Sequence, residues 1–269
     1  MKSQWAPVLF APLLPQLDQP LIVLLPGLDG TGKLFASQAQ SLARYFDVRC
    51  LMIPQNNRQD WPELAQEVVE AISGICGDRP IYLCGESFGG CLALQVTQLL
   101  QQRLSHLVLV NPASALRRYA WLRWTTQYTS SVPNWLFKAS GAMALPLLAN
   151  FDRISQDKRD LFIKTVRPIS QACVAWRIDM LHRFEIQPPQ LAAIKVPTTL
   201  LASGSDRLFP SDQEAQLLKQ SLHRANIYNL PDSGHACLLE DAVDLSACLK
   251  IFGVLPAPQT VTAPLQGDR

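Results

Sequence analysis

The segment of this chain best suited to covalent chemistry is Gly85-Glu86-Ser87-Phe88-Gly89. Its G-x-S-x-G spacing belongs to a serine held on a sharp strand-to-helix turn, with strained backbone and an outward-facing hydroxyl. A side chain at Gly85 or Gly89 would collide with neighbouring backbone, which explains both glycines. The N-terminus of the following helix favours negative charge at the reacting centre. Serine is a weak nucleophile until a base takes its proton, and the base needs a carboxylate to orient it. Four histidines are available, His106, His182, His223 and His235. His106 reads as structural, His223 as a cation at the end of a surface helix, and His182 as a helix-surface residue. His235, in Asp232-Ser233-Gly234-His235, falls in the loop after the last expected strand and is the candidate base. Asp206, in the tight loop Ser203-Gly204-Ser205-Asp206, is the candidate acid, whereas Asp212 suits the first turn of the next helix as a cap or dipole partner. The chain order is therefore serine, acid, histidine.

An acyl-transfer site also needs two backbone N–H groups for the oxyanion. Phe88, directly after the serine, is one candidate donor. Leu28, in the loop Pro26-Gly27-Leu28-Asp29-Gly30-Thr31-Gly32, is the other, and glycines such as Gly27 let that backbone approach a substrate. Gly27 and Gly32-Lys33 stand at the spacing of a phosphate-binding loop, but Leu34 occupies the position that needs Ser or Thr, so that reading is set aside.

The elements around these residues alternate. Strands are expected at Leu21–Leu25, Val48–Ile53, Pro80–Cys84, Leu107–Val110, Val196–Leu201 and Ala225–Leu230. Helices are expected at Leu34–Tyr45, Trp61–Ile75, Phe88–Leu104, Ser211–Leu222 and Leu239–Phe252. Continuous apolar strands separated by helices imply a mostly parallel sheet covered on both faces. With the serine turn, this predicts an α/β-hydrolase fold in which residues 21–114 and 191–254 form the core. Residues 115–190 break the rhythm and read as a helical cap or lid insertion. Residues 1–20, cut by Pro7, Pro12 and Pro15, read as an irregular lead-in, and residues 255–269 as a disordered tail.

Composition narrows the class. The 269 residues are 48 % apolar and 17 % charged with a net charge of +2, a globular balance that gives no reason to expect nucleic acid as a partner. Seven cysteines include no C-x-x-C pair, so neither a zinc nor a dithiol site is expected, and the chemistry calls for no cofactor. Cysteines in apolar runs suit a reducing, cytoplasmic setting. No stretch reaches the length of a spanning helix. The insertion carries 11 Lys/Arg against 5 Asp/Glu, together with Trp121, Trp124, Trp135 and Trp176. It reads as a solvated face over its own small core, or as a contact with an anionic membrane surface.

Three stretches resemble the hydrolase-like half of the phytyl ester synthase (esterase/lipase/thioesterase) family of plants and cyanobacteria. They are Leu25–Gly32, Gly85–Leu94 with Leu109-Val-Asn-Pro-Ala113, and Leu201–Glu214 with Asp232–Asp241; Leu239-Glu240-Asp241 is the most specific part. The resemblance implies that Ser87, Asp206 and His235 stand at triad positions. It also implies a lipid-like ester as substrate and, for a cyanobacterial source, a thylakoid-surface location. Plant members carry a second, acyltransferase-like domain for which 269 residues leave no room, so hydrolysis is expected at least as strongly as acyl transfer. Serine rather than aspartate at position 87 sets aside the dehalogenases and epoxide hydrolases of this fold.

Overall fold

The computed structural model describes residues 4–118 and 145–257. Its centre is a seven-stranded sheet in the order β1-β3-β2-β4-β5-β6-β7. The strands are β1 (Val8–Phe10), β2 (Leu21–Leu25), β3 (Asp47–Met52), β4 (Ile81–Glu86), β5 (Leu104–Val110), β6 (Thr198–Ser203) and β7 (Ala225–Leu230). All neighbours pair in parallel except β1, which runs antiparallel to β3. Besides a helical stretch at 145–148, the helices among the described residues are α1 (Ala36–Leu42), α2 (Trp61–Cys76), α3 (Phe88–Leu100), α4 (Gln156–Val166), α5 (Gln171–Arg183), α6 (Pro188–Ala193), α7 (Ser211–Ser221) and α8 (Leu245–Ile251).

Strand β2 shows why the sheet lies between two helical layers. Leu21, Val23 and Leu25 join one core cluster, while Ile22 and Leu24 point the other way into a second. All five are fully buried, as expected when side chains alternate across a sheet covered on both faces. Each such side chain contributes about 1.5–3 kcal/mol relative to exposure. Helix α2 starts where Asp60 accepts a hydrogen bond from the Trp61 N–H at 2.8 Å, and ends at Gly77 with φ of 54°.

Three departures from the expected elements have identifiable causes. The lead-in contains β1, three residues on the sheet edge whose place comes from pairing Leu9 with Leu51, and no periodicity can show in so short a run. The last helix is shorter than expected. A 3-10 turn at Cys237–Leu239 precedes Glu240, whose carboxylate turns inward, and α8 begins only after Asp244 caps it through the Ser246 N–H at 2.9 Å. The insertion does not rest on a small core of its own alone. Met180, Leu181 and Phe184 belong to the main core, with Trp176 packed against it, while Ala149, Ile154 and Phe162 cluster with Leu239. Trp121, Trp124 and Trp135, and the expected tail from 258 onward, lie outside the described residues. At the near end of that tail, Leu255 packs on the second core cluster.

Candidate active site

The sheet order turns at β2 and β4. From β2 the chain crosses outward to β3, then returns past β2 to β4. Loops leaving the carboxyl ends of adjacent strands on either side of such a turn frame a crevice. Leu25 at the end of β2 is level with Gly85 in β4, so Pro26–Gly32 and the Ser87 turn leave the sheet side by side.

Ser87 has φ of 54°, a left-handed backbone that costs a non-glycine residue energy. Its N–H donates to Val110 O at 3.0 Å and its carbonyl accepts from Ala113 N–H at 3.1 Å, so β5 and the turn after it hold the strained residue in place. The glycines on either side are sterically required. A Cβ on Gly85 would lie 2.1 Å from Gly89 O, and one on Gly89 2.0 Å from Leu25 O. Gly27 differs, because a Cβ there would meet nothing closer than Ser87 Cβ at 3.7 Å, an ordinary contact beside the nucleophile.

The structure brings the three expected side chains together from β4, β6 and β7. His235 Nε2 lies 2.8 Å from Ser87 Oγ, and His235 Nδ1 2.7 Å from Asp206 Oδ2. The ring is 5 % exposed and its edge meets Phe209, with centroids 5.2 Å apart. Asp206 also accepts from Leu208 N–H at 2.8 Å, Phe209 N–H at 3.0 Å and the Ser211 hydroxyl. Burial alone would raise its pKa, but His235 and these donors outweigh that and hold the carboxyl below its ordinary value. Asp212 stays in the first turn of α7, away from the ring. His106 Nε2 pairs with Thr199 Oγ1 at 2.9 Å and is pushed down to about 4 by burial, the behaviour of a neutral structural imidazole. The Leu28 and Phe88 N–H groups make no loop or turn hydrogen bond among the described residues, which leaves them able to receive an oxyanion.

Two further residues hold this geometry, and a third lies buried beside it. Asn111, fully buried with φ of 42°, donates through Nδ2 to His235 O at 2.7 Å and Ser203 Oγ at 2.8 Å, and accepts from Ser203 N–H at 2.9 Å. It ties the ends of β5 and β6 to the histidine loop. Glu240, also fully buried, accepts from Ser233 Oγ at 2.9 Å, Gly234 N–H at 2.8 Å and Arg153 Nε at 2.6 Å. The residues before His235 are thus braced from behind, and Lys158 of α4 pairs with Asp241 at 2.8 Å. Glu86 is the third. It is 9 % exposed, its Oε1 has no hydrogen-bond partner, and burial, opposed by His235 and reinforced by Asp29, lifts its carboxyl to about 7. Asn111 and Glu240 fall within the stretches that carried the family resemblance, but nothing in their spacing announced these contacts.

No group of three His, Cys, Asp or Glu side chains able to hold a metal occurs among the described residues, and all seven cysteines are unpaired and buried. No described helix is long and apolar enough to cross a membrane. A shallow cleft lined by Tyr82, His106, Arg224 and Phe252 lies at the opposite, amino ends of the strands.

Comparison with known proteins agrees with the fold. A family model described as alpha/beta hydrolase fold matches residues 20–242. Phytyl ester synthase 1, chloroplastic, of Arabidopsis thaliana is 29 % identical over 268 residues, covering 89 % of this chain and 38 % of that protein. Phytyl ester synthase 2, chloroplastic, of the same plant is 27 % identical, covering 87 % and 37 %. The chain therefore spans under two fifths of the length of either synthase. A putative carbamate hydrolase RutD of Pseudomonas savastanoi pv. phaseolicola is 26 % identical over 87 % of this chain and 94 % of its own. Among solved structures, a hydrolase from Pseudomonas aeruginosa PA01 superposes with a TM-score of 0.74 at 20 % identity, covering 92 % of this chain and 93 % of that one. MenH from S. aureus superposes with a TM-score of 0.71 at 16 % identity, covering 92 % and 97 %. At these identities the two structures speak for the fold alone.

Proposed function

This chain belongs to the alpha/beta hydrolase fold family, and on that premise we propose that it is a serine hydrolase cleaving a lipid-like acyl or prenyl ester through an acyl-enzyme on Ser87. The observation that carries the reading is the continuous path Ser87 Oγ, His235 Nε2, His235 Nδ1, Asp206 Oδ2, with gaps of 2.8 and 2.7 Å. In this reading Ser87 gives its proton to His235 Nε2 as its oxygen attacks the ester carbonyl. Asp206 accepts from Nδ1–H and stabilises the imidazolium. The tetrahedral oxyanion is met by the N–H groups of Leu28 and Phe88. Collapse breaks the bond to the alcohol, which leaves with the proton from His235. Water then gives a proton to His235, attacks the acyl-enzyme and releases the acid, with Ser87 restored.

A second reading, acyl transfer, is favoured by the names of the two plant relatives. It needs only an alcohol in the place of water, so the same residues serve both. A thioester substrate would use them as well. A non-catalytic lipid- or protein-binding role is the alternative of another class. Labelling with a fluorophosphonate tests the shared step: wild type should label and Ser87→Ala should not, and an unlabelled, folded wild type rejects every catalytic reading. Fatty-acyl, phytyl and CoA esters, assayed with and without a long-chain alcohol, then separate hydrolysis, transfer and thioester cleavage. The excess of Lys and Arg over Asp and Glu in residues 115–190 supports contact with an anionic membrane surface. That contact predicts binding to anionic but not neutral vesicles, weakened by salt; equal binding to both, or to neither, rejects it.

A further inference from the structure

Arg177 lies in the middle of α5, within the insertion, yet it is 2 % exposed. Its guanidinium does not reach solvent. Nη1 donates to Leu28 O and Nη2 to Ile53 O, each at 2.8 Å. A buried charge is costly, and an apolar side chain of the same length would avoid that cost. The loop is shaped around it. A Cβ on Gly30, which has φ of 66°, would stand 2.2 Å from Nη1 and 2.4 Å from Nη2. Next to it, Asp29 is 7 % exposed, accepts from Thr31 N–H at 2.8 Å, and feels the guanidinium's positive charge.

The consequence follows from peptide geometry. The N–H of Leu28 belongs to the peptide unit whose carbonyl is that of Gly27, and in a trans peptide the two point in opposite directions. Gly27 O accepts from Gly30 N–H at 3.0 Å, which fixes that unit on one side of Leu28. Leu28 O, held by Arg177, fixes the unit on the other side. Gly30 O in turn accepts from Ile53 N–H at 2.7 Å, and Ile53 O is the second acceptor of Arg177, so the clamp closes on both sides of the loop. A side chain from outside the two loops that carry the chemistry thus holds the peptide unit next to the one that carries the Leu28 N–H.

We propose that Arg177 is a positioning residue for the oxyanion hole, through which the insertion sets the direction of the Leu28 N–H toward the carbonyl oxygen on Ser87. This rests on the serine-hydrolase reading above. It makes α5 part of the machinery that stabilises the transition state, in addition to any role as a cover. Binding of an extended substrate is left unchanged by the clamp, while the developing oxyanion depends on it.

The test compares wild type, Arg177→Met and Arg177→Lys on a p-nitrophenyl ester, with fluorophosphonate to count reactive Ser87 and an alkyl trifluoromethyl ketone as a tetrahedral mimic. Arg177→Met should lose about a hundredfold or more in kcat, the scale of a lost oxyanion donor. Its KM should stay within about threefold, and its affinity for the ketone should fall in step with kcat/KM. Arg177→Lys, which keeps a charge but not the two-pronged grip, should fall between. A folded Arg177→Met with wild-type kcat overturns the proposal, as does a loss confined to KM. Should Arg177→Met not fold, Arg177→Lys alone decides by the same split between kcat and KM. Failure of both to fold assigns Arg177 to stability and also overturns the proposal. A wild type that neither labels nor turns over fails the function reading itself, a result visible before any variant is made.

Discussion

Replacing Glu86 by Gln should stabilise the protein increasingly as pH rises above about 4.5, with nearly the full gain reached by neutral pH. The carboxyl is 9 % exposed with an orphaned Oε1, and its pKa stands at about 7 in the folded chain against an ordinary 4.5. Burial is the main cause; the negative charge of Asp29 adds to it and the attraction of His235 opposes it. Cys84 and Cys237 also lie within its field. The folded pKa is the higher one, so between the two values the folded state keeps a proton that the unfolded state has lost. Stability therefore falls as pH rises from about 4.5 to about 7 and then levels off. A gap of that size corresponds to about 3 kcal/mol at pH 8 and under about 1 kcal/mol at pH 5. Gln removes the titration while keeping the shape. Urea unfolding of both proteins should show the Gln variant gaining about 2–3 kcal/mol on wild type between pH 5 and pH 8, or a melting difference that widens by about 5–10 °C. A difference that is constant with pH, or that shrinks toward pH 8, would refute the reasoning, because it would mean that the folded protein holds Glu86 ionised at little cost.

Four other substitutions, one of them with a cycle partner, test the remaining parts of the site. Asp206→Asn places an amide against four donors and favours the wrong imidazole tautomer, so kcat should drop on the order of 10⁴-fold while the chain stays folded by circular dichroism. Glu240→Gln should destabilise by about 3 kcal/mol in urea, since Ser233, Gly234 and Arg153 lose a shared anion; a double-mutant cycle with Arg153→Met should show clear coupling. Gly89→Ala should give no folded protein, because its Cβ would stand 2.0 Å from Leu25 O. Gly27→Ala, with its nearest neighbour at 3.7 Å, should melt close to wild type but lose activity, since its methyl occupies space beside Ser87.

The Glu86 prediction bears on why the site is built this way. A carboxyl without a partner behind the serine, the positive φ of Ser87 and the buried guanidinium of Arg177 all cost stability. They gather where strain and unpaired charge can serve chemistry, and the fully buried strands around them supply the compensating packing.

The parallel core, the serine turn and the order of serine, acid and histidine were legible from residue types alone. Apolar strands such as Leu21–Leu25 and Leu104–Val110 have local signatures, and the spacing of the serine turn is local, with Gly85 demanded by Gly89 O, although Gly89 itself is demanded by Leu25 O of the neighbouring strand. The short edge strand Val8–Phe10 was not legible, because it exists only by pairing with β3. The supports of the site were hidden for the same reason. Asn111 reaches His235 across 124 residues of chain, and Arg177 reaches Leu28 across 149. Sequence records the side chains that react, because their chemistry restricts which residue can stand there. Tertiary structure decides what aims them, because a hydrogen bond to a distant carbonyl leaves no periodicity, and any helix could have carried that arginine until folding placed it against this loop.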